Sequence, residues 1–405
     1  MRKQSENLLA ILKSAVHHEA LSLNEPVEYD CLMELAREQS VLPIVGEMLC
    51  RDPEFIQEKV YEQTVRQVVA SVAVQSSRTA AFLQLYRAFA DAGVYPVVMK
   101  GVVCRELYGR LKDHRPSGDE DILIRPAEFK TVRAVLKSQG YEPERKEMTD
   151  RQLEEVQEIT FDGGAVGLHI EVHTNPIGQE SGIRRDMNEM FQSVFENQQR
   201  IEVDGTEIMT MGHTDHFLFL VLHAFKHMIS NGFGIRQALD IFLYYEKYGD
   251  EICWDYVYDN LRKVCAERFF CDLLYIGRQH LGFDLPAKYR PNCPEELLTD
   301  LMENGIFGSK RQAYQTAASI TTAAIDRGKK RNQIMVLLQT CFPPMGFMIS
   351  RNPELADYPW LLPVCWIRRW GRFFRYSRDN GGGLVSDSIE ASRQRIRLLK
   401  KYKIL

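Results

Sequence analysis

The alternation of apolar and polar residues divides the chain into a helical first region, a mixed middle and a helical remainder. From residue 3 to about 92, apolar residues recur at helical spacing, as Leu8, Leu12 and Val16 do. From Tyr95 short β-branched runs replace this spacing, and after His213 the helical spacing returns. The pattern therefore predicts a central α/β block between two helical regions.

Within the central block the pattern predicts a strand, a helix, a strand, a helix and then antiparallel strands. The segments are YPVVMK (95–100), VVCRELYGRL (102–111), DEDILI (119–124), PAEFKTVRAVLKSQG (126–140), EEVQEITF (154–161), GLHIEVH (167–173) and RIEVDGTEIMTM (200–211). In the last segment Asp204-Gly205, flanked by alternating residues, predicts a hairpin.

The helical remainder ends in a tail of unusual composition. Helical patterns continue to a segment at 308–340 and are followed by a stretch rich in proline and tryptophan, a glycine linker and a basic helix at 387–405. We therefore predict four parts. They are an N-terminal helical region (1–92), the α/β core (93–210), a helical domain (211–340) and an aromatic, basic C-terminal tail (341–405).

Composition narrows the function classes. The 405 residues carry 51 basic and 55 acidic side chains, a net charge of −4, which argues against a general nucleic-acid binder. No run of 18 uncharged apolar residues predicts a transmembrane helix. The nine cysteines are scattered, without a C-x-x-C pair, which is typical of reduced thiols in a cytoplasmic protein.

Two aspartates of the DEDILI segment carry the first chemical signal. Side chains alternate along a strand, so Asp119 and Asp121 point to the same face. Two such carboxylates repel each other, and a hard divalent cation, above all Mg²⁺ shared with a substrate phosphate, neutralises the pair. The preceding turn from Arg115 to Gly118 adds a cation. A D-x-D alone is also common at ordinary exposed strand ends.

The GLHIEVH segment strengthens this signal. The same alternation places His169, Glu171 and His173 on one face and three aliphatic side chains on the other. A third carboxylate beside the aspartates is typical of two-metal phosphoryl-transfer sites, where one carboxylate also takes a proton from the attacking hydroxyl.

Lys100-Gly101 stands where the first strand passes into a helix. A lysine charge, a close backbone approach and a helix N-terminus all suit a phosphate. Arg105 follows one turn later, and it either faces the same cleft or is an ordinary solvated helix arginine.

In this order the motifs resemble the nucleotidyltransferase superfamily with the DNA polymerase beta-like palm. More narrowly, the sequence resembles an uncharacterised family of bacterial nucleotidyltransferases. The matching elements are Lys100-Gly101, the segment from Arg115 to Asp121, Gly140-Tyr141, Glu171 to His173, HAFKH (223–227), RQALDI (236–241) and the tail around 358–369. The resemblance thus runs from about residue 90 to residue 370.

The resemblance implies an α+β fold, a mixed-sheet palm flanked by N- and C-terminal helical domains. It implies an enzyme that uses two Mg²⁺ ions, with Mn²⁺ as the alternative, and transfers an NMP from an NTP to an acceptor with release of pyrophosphate. By this resemblance Asp119, Asp121 and Glu171 bind the metal and carry catalysis. The substrate contacts expected in the cleft are Lys100, Gly101, Arg105, Arg115, Ser117, Gly118, His173, Lys226 and His227.

Two positions depart from the superfamily pattern. Lys-Gly stands where the superfamily usually has Gly-Ser, and Glu120 stands between the aspartates, where the family residue is usually apolar. A buried, unpaired acid is costly. Glu120 therefore either pairs with a basic residue or lies in an exposed edge strand.

Other polar features have structural explanations beside functional ones. His223 and His227 lie four residues apart on one helix face. They bind a metal as a pair, border the nucleotide cleft with Lys226 or are hydrogen-bonded in the helical core, and the intervening AFK does not match the zinc-protease motif. Arg236 and Asp240 favour a structural ion pair. The tail WIRRWGRFFRYSR interleaves basic and aromatic residues and suits a nucleic acid, a membrane surface or packing on the protein core. The final basic helix suits docking of a partner protein.

Three functions remain open at this point. The first is the nucleotidyltransferase, and the second is a non-catalytic relative whose palm binds a nucleotide or a partner protein. The third is hydrolysis at the same metal site. No motif in the helical regions identifies the acceptor, so sugar, antibiotic, peptide, protein and nucleic acid all remain candidates.

Overall fold

The computed structural model covers most of the chain. It describes residues 3–24, 26–144, 158–164, 166–177, 187–230, 232–304, 358–379 and 397–404, together with the single positions 342, 345, 348, 352 and 355. The predicted helix at 308–340, the glycine linker and the first part of the final basic helix lie outside the described residues.

In the described residues seven strands form one mixed sheet. They are β1 Val97–Val98, β2 Asp119–Leu123, β3 Tyr141–Pro143, β4 Glu158–Gly163, β5 Leu168–His173, β6 Gln199–Val203 and β7 Thr206–Thr210. Their order across the sheet is β3-β4-β5-β2-β1-β7-β6. β2 runs parallel to β5 and antiparallel to β1, and β1 runs parallel to β7. β2 and β5, which carry the predicted acids, are therefore central neighbours, and the short edge strand β3 is an addition to the predicted set.

Twelve α-helices surround this sheet in the described part of the chain. They are α1 Lys3–His17, α2 Tyr29–Glu38, α3 Leu42–Leu49, α4 Tyr61–Asp91, α5 Val102–Arg105, α6 Phe129–Ser138, α7 His213–Ser230, α8 Ile235–Tyr248, α9 Trp254–Lys263, α10 Glu267–Leu281, α11 Pro294–Asn304 and α12 Leu362–Asp379. The mixed α/β fold with flanking helices is thereby confirmed. The predicted helix over 102–111 is shorter than expected, since α5 gives way to a 3-10 segment, Glu106–His114, that is broken at Gly109.

The two faces of the sheet pack against different helices. Ile122 and Ile170 belong to a core formed with aromatic and aliphatic side chains of α4 and α6. Leu123, one residue on from Ile122, belongs to the larger core that α7 to α10 build. Because side chains alternate, Asp119 and Asp121 share the face of Leu123 and point toward these helices.

Helices from both ends of the chain share the larger core. Leu12 of α1 clusters there with Phe269 of α10 and with Leu399 and Tyr402 near the C-terminus. The Tyr402 hydroxyl donates to Asp272 Oδ2 at 2.9 Å. The described end of the final basic helix therefore packs on its own chain. The four-part division of the chain stays a prediction.

None of the described helices has the length and apolar character required to cross a membrane.

Candidate active site

The parallel pairing of β2 and β5 brings the predicted acids together. Asp121 lies directly opposite Glu171, and Asp119 lies opposite His169. Asp121 is buried, Glu171 is 26% exposed, and Asp119 is partly exposed. The alternation read from the sequence thus places three carboxylates on one face of adjacent central strands, facing α7.

Two cationic side chains lie against Asp121. Lys100 Nζ is 3.0 Å and His173 Nε2 is 3.4 Å from Asp121 Oδ1, and His173 Nε2 is also 3.5 Å from Glu171 Oε2. Burial opposes the charge of Asp121, yet Lys100 and His173 hold its pKa well below the usual range. Burial also opposes the charge of His173, but Asp121 and Glu171 raise its pKa to about 9. The three acids likewise outweigh burial and raise the pKa of Lys100.

Glu171 has the opposite electrostatic character from Asp121. Burial, together with the negative charges of Asp121 and Asp119, raises the pKa of Glu171, although His173 and Lys100 lower it. A partly exposed carboxylate with a raised pKa is better suited than Asp121 to accept a proton from a substrate.

The donor set fits a divalent cation. One ligand atom each from Asp121, Glu171 and His173 lies within 4.8 Å of the others. Asp121 Oδ2 is buried and has no hydrogen-bond partner, so one carboxylate oxygen remains available as a ligand. From the sequence, Asp119 was predicted as the third metal ligand. The compact group of described residues instead contains His173 as its third member, and Asp119 is not part of it.

The histidines of α7 lie beside Lys100. Lys100 Nζ is 3.1 Å from His223 Nε2, and the Nε2 atoms of His223 and His227 are 3.3 Å apart. Burial and then the charge of Lys100 lower the pKa of both histidines, that of His227 to about 3. Neutral His223 therefore accepts a hydrogen bond from Lys100. Lys226, on the same helix, is partly exposed.

Glu120, Gly101 and Arg105 form a separate contact on the other face of β2. Glu120 Oε1 accepts from Arg105 Nη2 at 2.5 Å, and its Oε2 accepts from the Val102 N–H at 2.8 Å. Gly101 has φ +64, and a side chain there would meet the Glu120 carboxylate. Glu120 therefore lies in a central strand and pairs with a basic residue, Arg105. Arg105 is only 1% exposed, and its guanidinium is bound by Glu120. Glu120 also binds the first N–H group of α5. Both groups therefore lie away from the acidic face, contrary to the substrate contact expected for Arg105.

Arg115 also lies in a buried ion pair. Its Nε and Nη2 donate to the two oxygens of Asp240 at 2.8 and 2.6 Å, and the Tyr108 hydroxyl donates to the same carboxylate at 2.8 Å. The pair predicted between Arg236 and Asp240 is replaced by this contact, and Arg236 instead donates to the Pro116 carbonyl at 2.6 Å. Arg115 therefore ties the turn before β2 to α8, and the structure does not present it to a substrate.

Residues of α4 hold the same turn, and no sequence motif predicts this role for them. Gln75 Oε1 accepts from the Ser117 N–H at 2.7 Å, and Arg78 Nη1 donates to the Ser117 carbonyl at 2.9 Å. The Ser117 hydroxyl donates to the Asp119 carbonyl at 2.8 Å. Gly118 is exposed and has open space around it. Of this turn, Gly118 is the part open to a ligand.

A mixed sheet with acids on two adjacent parallel strands is consistent with a nucleotidyltransferase fold. A family model described as an uncharacterised nucleotidyltransferase matches residues 25–282, and the chain belongs to this family. The matched range contains the whole sheet and all the site residues discussed above. Neither the curated proteins nor the solved structures contain a match to the chain.

Proposed function

We propose that the protein is a Mg²⁺-dependent nucleotidyltransferase that moves an NMP from an NTP to an acceptor yet to be identified. The observation that carries this proposal is the pairing of Asp121 with Glu171 across two central strands, with Asp121 Oδ2 buried and unsatisfied. A buried carboxylate oxygen without a donor is costly, and a bound cation removes that cost. Membership of the nucleotidyltransferase family supports the same proposal.

Asp121 and Glu171 would hold the ion, with Asp119 at the open end of the site and His173 as an alternative ligand. When bound, Mg²⁺ polarises the phosphoryl oxygens and neutralises charge that develops during transfer. The protein contributes a rigid frame for these ligands, because β2 and β5 are central strands and the turn before β2 is tied down by α4 and α8.

Glu171 is the side chain best suited to activate the acceptor. The acceptor hydroxyl would form a bond to the α-phosphorus while the bond from that phosphorus to the pyrophosphate oxygen breaks. The hydroxyl proton would pass to the carboxylate of Glu171, whose raised pKa and partial exposure favour this exchange. Lys100, which reaches this face from the end of β1, would supply a positive charge to the phosphates.

Nucleotide binding and turnover test the proposal together. Calorimetry with each NTP should show binding that requires Mg²⁺, and pyrophosphate should be released when the acceptor is present. Asp121→Asn should abolish both. Asp162→Asn is the matched control, because Asp162 lies on neighbouring β4 and pairs with His169 near the solvent. Wild-type pyrophosphate release by Asp121→Asn would contradict the proposal.

One observation favours a second candidate, a catalytically silent member of the family that binds a nucleotide or a partner. Lys100 and His173 already neutralise Asp121 within the chain, so the acids do not require an ion for stability. Binding of an NTP without Mg²⁺, and without any turnover, would favour this candidate.

A further inference from the structure

Three apolar side chains in the first part of α12 and in the turn before it are exposed. Trp360 is 70%, Val364 42% and Ile367 72% exposed. Val364 and Ile367 are three residues apart and lie on one side of the helix, and Trp360 lies in the 3-10 turn, Pro359–Leu361, that leads into it. A continuous exposed stripe of this kind marks an interaction surface, whereas single exposed apolar residues are ordinary.

The opposite side of α12 is already packed. Cys365 is buried with Met348 and Leu355, and Trp366 packs against the same cluster. Helix packing therefore accounts for one apolar side of α12 but not for the exposed stripe. The prediction that the tail packs on the protein with a solvated basic face accounts for the buried side of α12. It does not account for the exposed apolar side chains.

The charge of α12 complements an anionic surface. Its sequence, LPVCWIRRWGRFFRYSRD, contains five arginines and one aspartate, in a chain whose net charge is −4. Arg368, beside Ile367, is exposed. The helix thus combines an exposed apolar stripe with a strong local excess of positive charge.

From this combination we infer that α12 binds the surface of a membrane containing anionic phospholipids. Trp360, Val364 and Ile367 enter the boundary between headgroups and acyl chains, and the exposed Arg368 contacts the lipid phosphates. A nucleic acid offers little to an aliphatic stripe, because its interfaces are polar and highly charged. Tryptophan and arginine are also common at protein interfaces, so a protein partner is kept as an outcome of the test below. The inference is independent of the proposed transferase activity.

Vesicle flotation with the full-length protein tests the inference. The protein should bind vesicles of phosphatidylcholine containing phosphatidylglycerol, with at least tenfold weaker binding to phosphatidylcholine alone and to mixed vesicles at high salt. The variant Trp360→Ser, Val364→Ser, Ile367→Ser should lose at least tenfold in affinity for the mixed vesicles. These side chains are exposed, so the variant should keep the wild-type unfolding temperature.

A matched control uses exposed aliphatic residues elsewhere. Ile56, Val69 and Val74 are 46%, 63% and 48% exposed, and their combined replacement by serine should leave vesicle binding unchanged. Equal binding by the α12 variant and the wild type would overturn the inference. It would also be overturned if the wild type ignored the vesicles and instead bound RNA, or self-associated, in a way that the α12 variant abolished.

Discussion

Replacement of Lys100 by methionine should make the protein bind divalent cations more tightly. Lys100 Nζ lies 3.0 Å from Asp121 Oδ1 and therefore stands beside the carboxylate that we propose as a metal ligand. An ion must displace this ammonium or bind against its charge. Methionine keeps an unbranched chain of similar length but removes the charge, so the competition disappears.

The geometry sets the size of the effect. At 3.0 Å and an effective dielectric constant of about 20, the gross attraction between Lys100 and Asp121 is about 5.5 kcal/mol. Much of this is recovered when the displaced ammonium keeps its hydrogen bond to His223, 3.1 Å away, or meets water. Even about a quarter of the gross value, roughly 1.4 kcal/mol, corresponds to a tenfold tighter dissociation constant.

Titration calorimetry with Mn²⁺, near pH 7 and at low salt, measures this directly. Lys100→Met should bind Mn²⁺ at least tenfold more tightly than the wild type, and Lys100→Arg, which keeps the charge, should not. An NTP with Mg²⁺ should respond in the opposite direction, because Lys100→Met also removes a positive charge from the phosphate site.

Two results would refute this reasoning. Wild-type Mn²⁺ affinity in Lys100→Met would show that the ammonium does not compete for Asp121. Equal tightening in Lys100→Arg and Lys100→Met would show that the effect comes from altered packing, because only one of the two variants loses the charge. Thermal unfolding of both variants in EDTA checks that each remains folded.

Three further predictions concern the buried charges. Asp121 and Glu171 outweigh burial and raise the pKa of His173 from 6.5 to about 9, so in EDTA the stability this provides is complete below pH 6.5 and is lost as the pH rises through 9. His173→Gln should remove about 3 kcal/mol at pH 6 and flatten this part of the unfolding profile, and an unchanged slope would contradict the assignment. Arg105→Met leaves Glu120 buried without its cation and should cost about 3–5 kcal/mol in urea unfolding. Asp240→Asn should destabilise the fold similarly through Arg115, and a loss below about 1 kcal/mol would argue against a tight pair.

The part of the site that lies within single strands was predictable from the sequence. Alternation alone predicts that Asp119 and Asp121 share one face of their strand and that Glu171 and His173 share one face of theirs, because the aliphatic residues between them are buried. The parallel register that sets Asp121 opposite Glu171 depends on how the two strands pair in the folded protein, which alternation within each strand does not determine. The sequence order of the motifs, through the family resemblance, implied that these strands are neighbours.

The ion-pair partners of Arg105 and Arg115 were not predictable in the same way. Arg105 is a candidate phosphate ligand because it follows Lys100-Gly101 by one turn, and Arg115 is one because it opens the turn before Asp119. Their actual partners are set by packing. Glu120 lies 15 residues from Arg105 on the far face of β2, and Asp240 lies 125 residues from Arg115 on α8. A charged residue entering a buried layer must find a counter-charge, and local sequence shows the need but not the partner.

Under the proposed function, the charges on the acidic face favour binding of metal and nucleotide together rather than separately. Asp119, Asp121 and Glu171 carry three negative charges, and Lys100 and protonated His173 offset two of them. An NTP alone would add about four negative charges to this face, and metal ions alone would meet the resident cations. Two Mg²⁺ ions with one NTP would add almost no net charge, so the charge balance of this face would be kept on binding. A magnesium–nucleotide complex would therefore preserve the charge balance of this face better than the metal ions or the nucleotide alone.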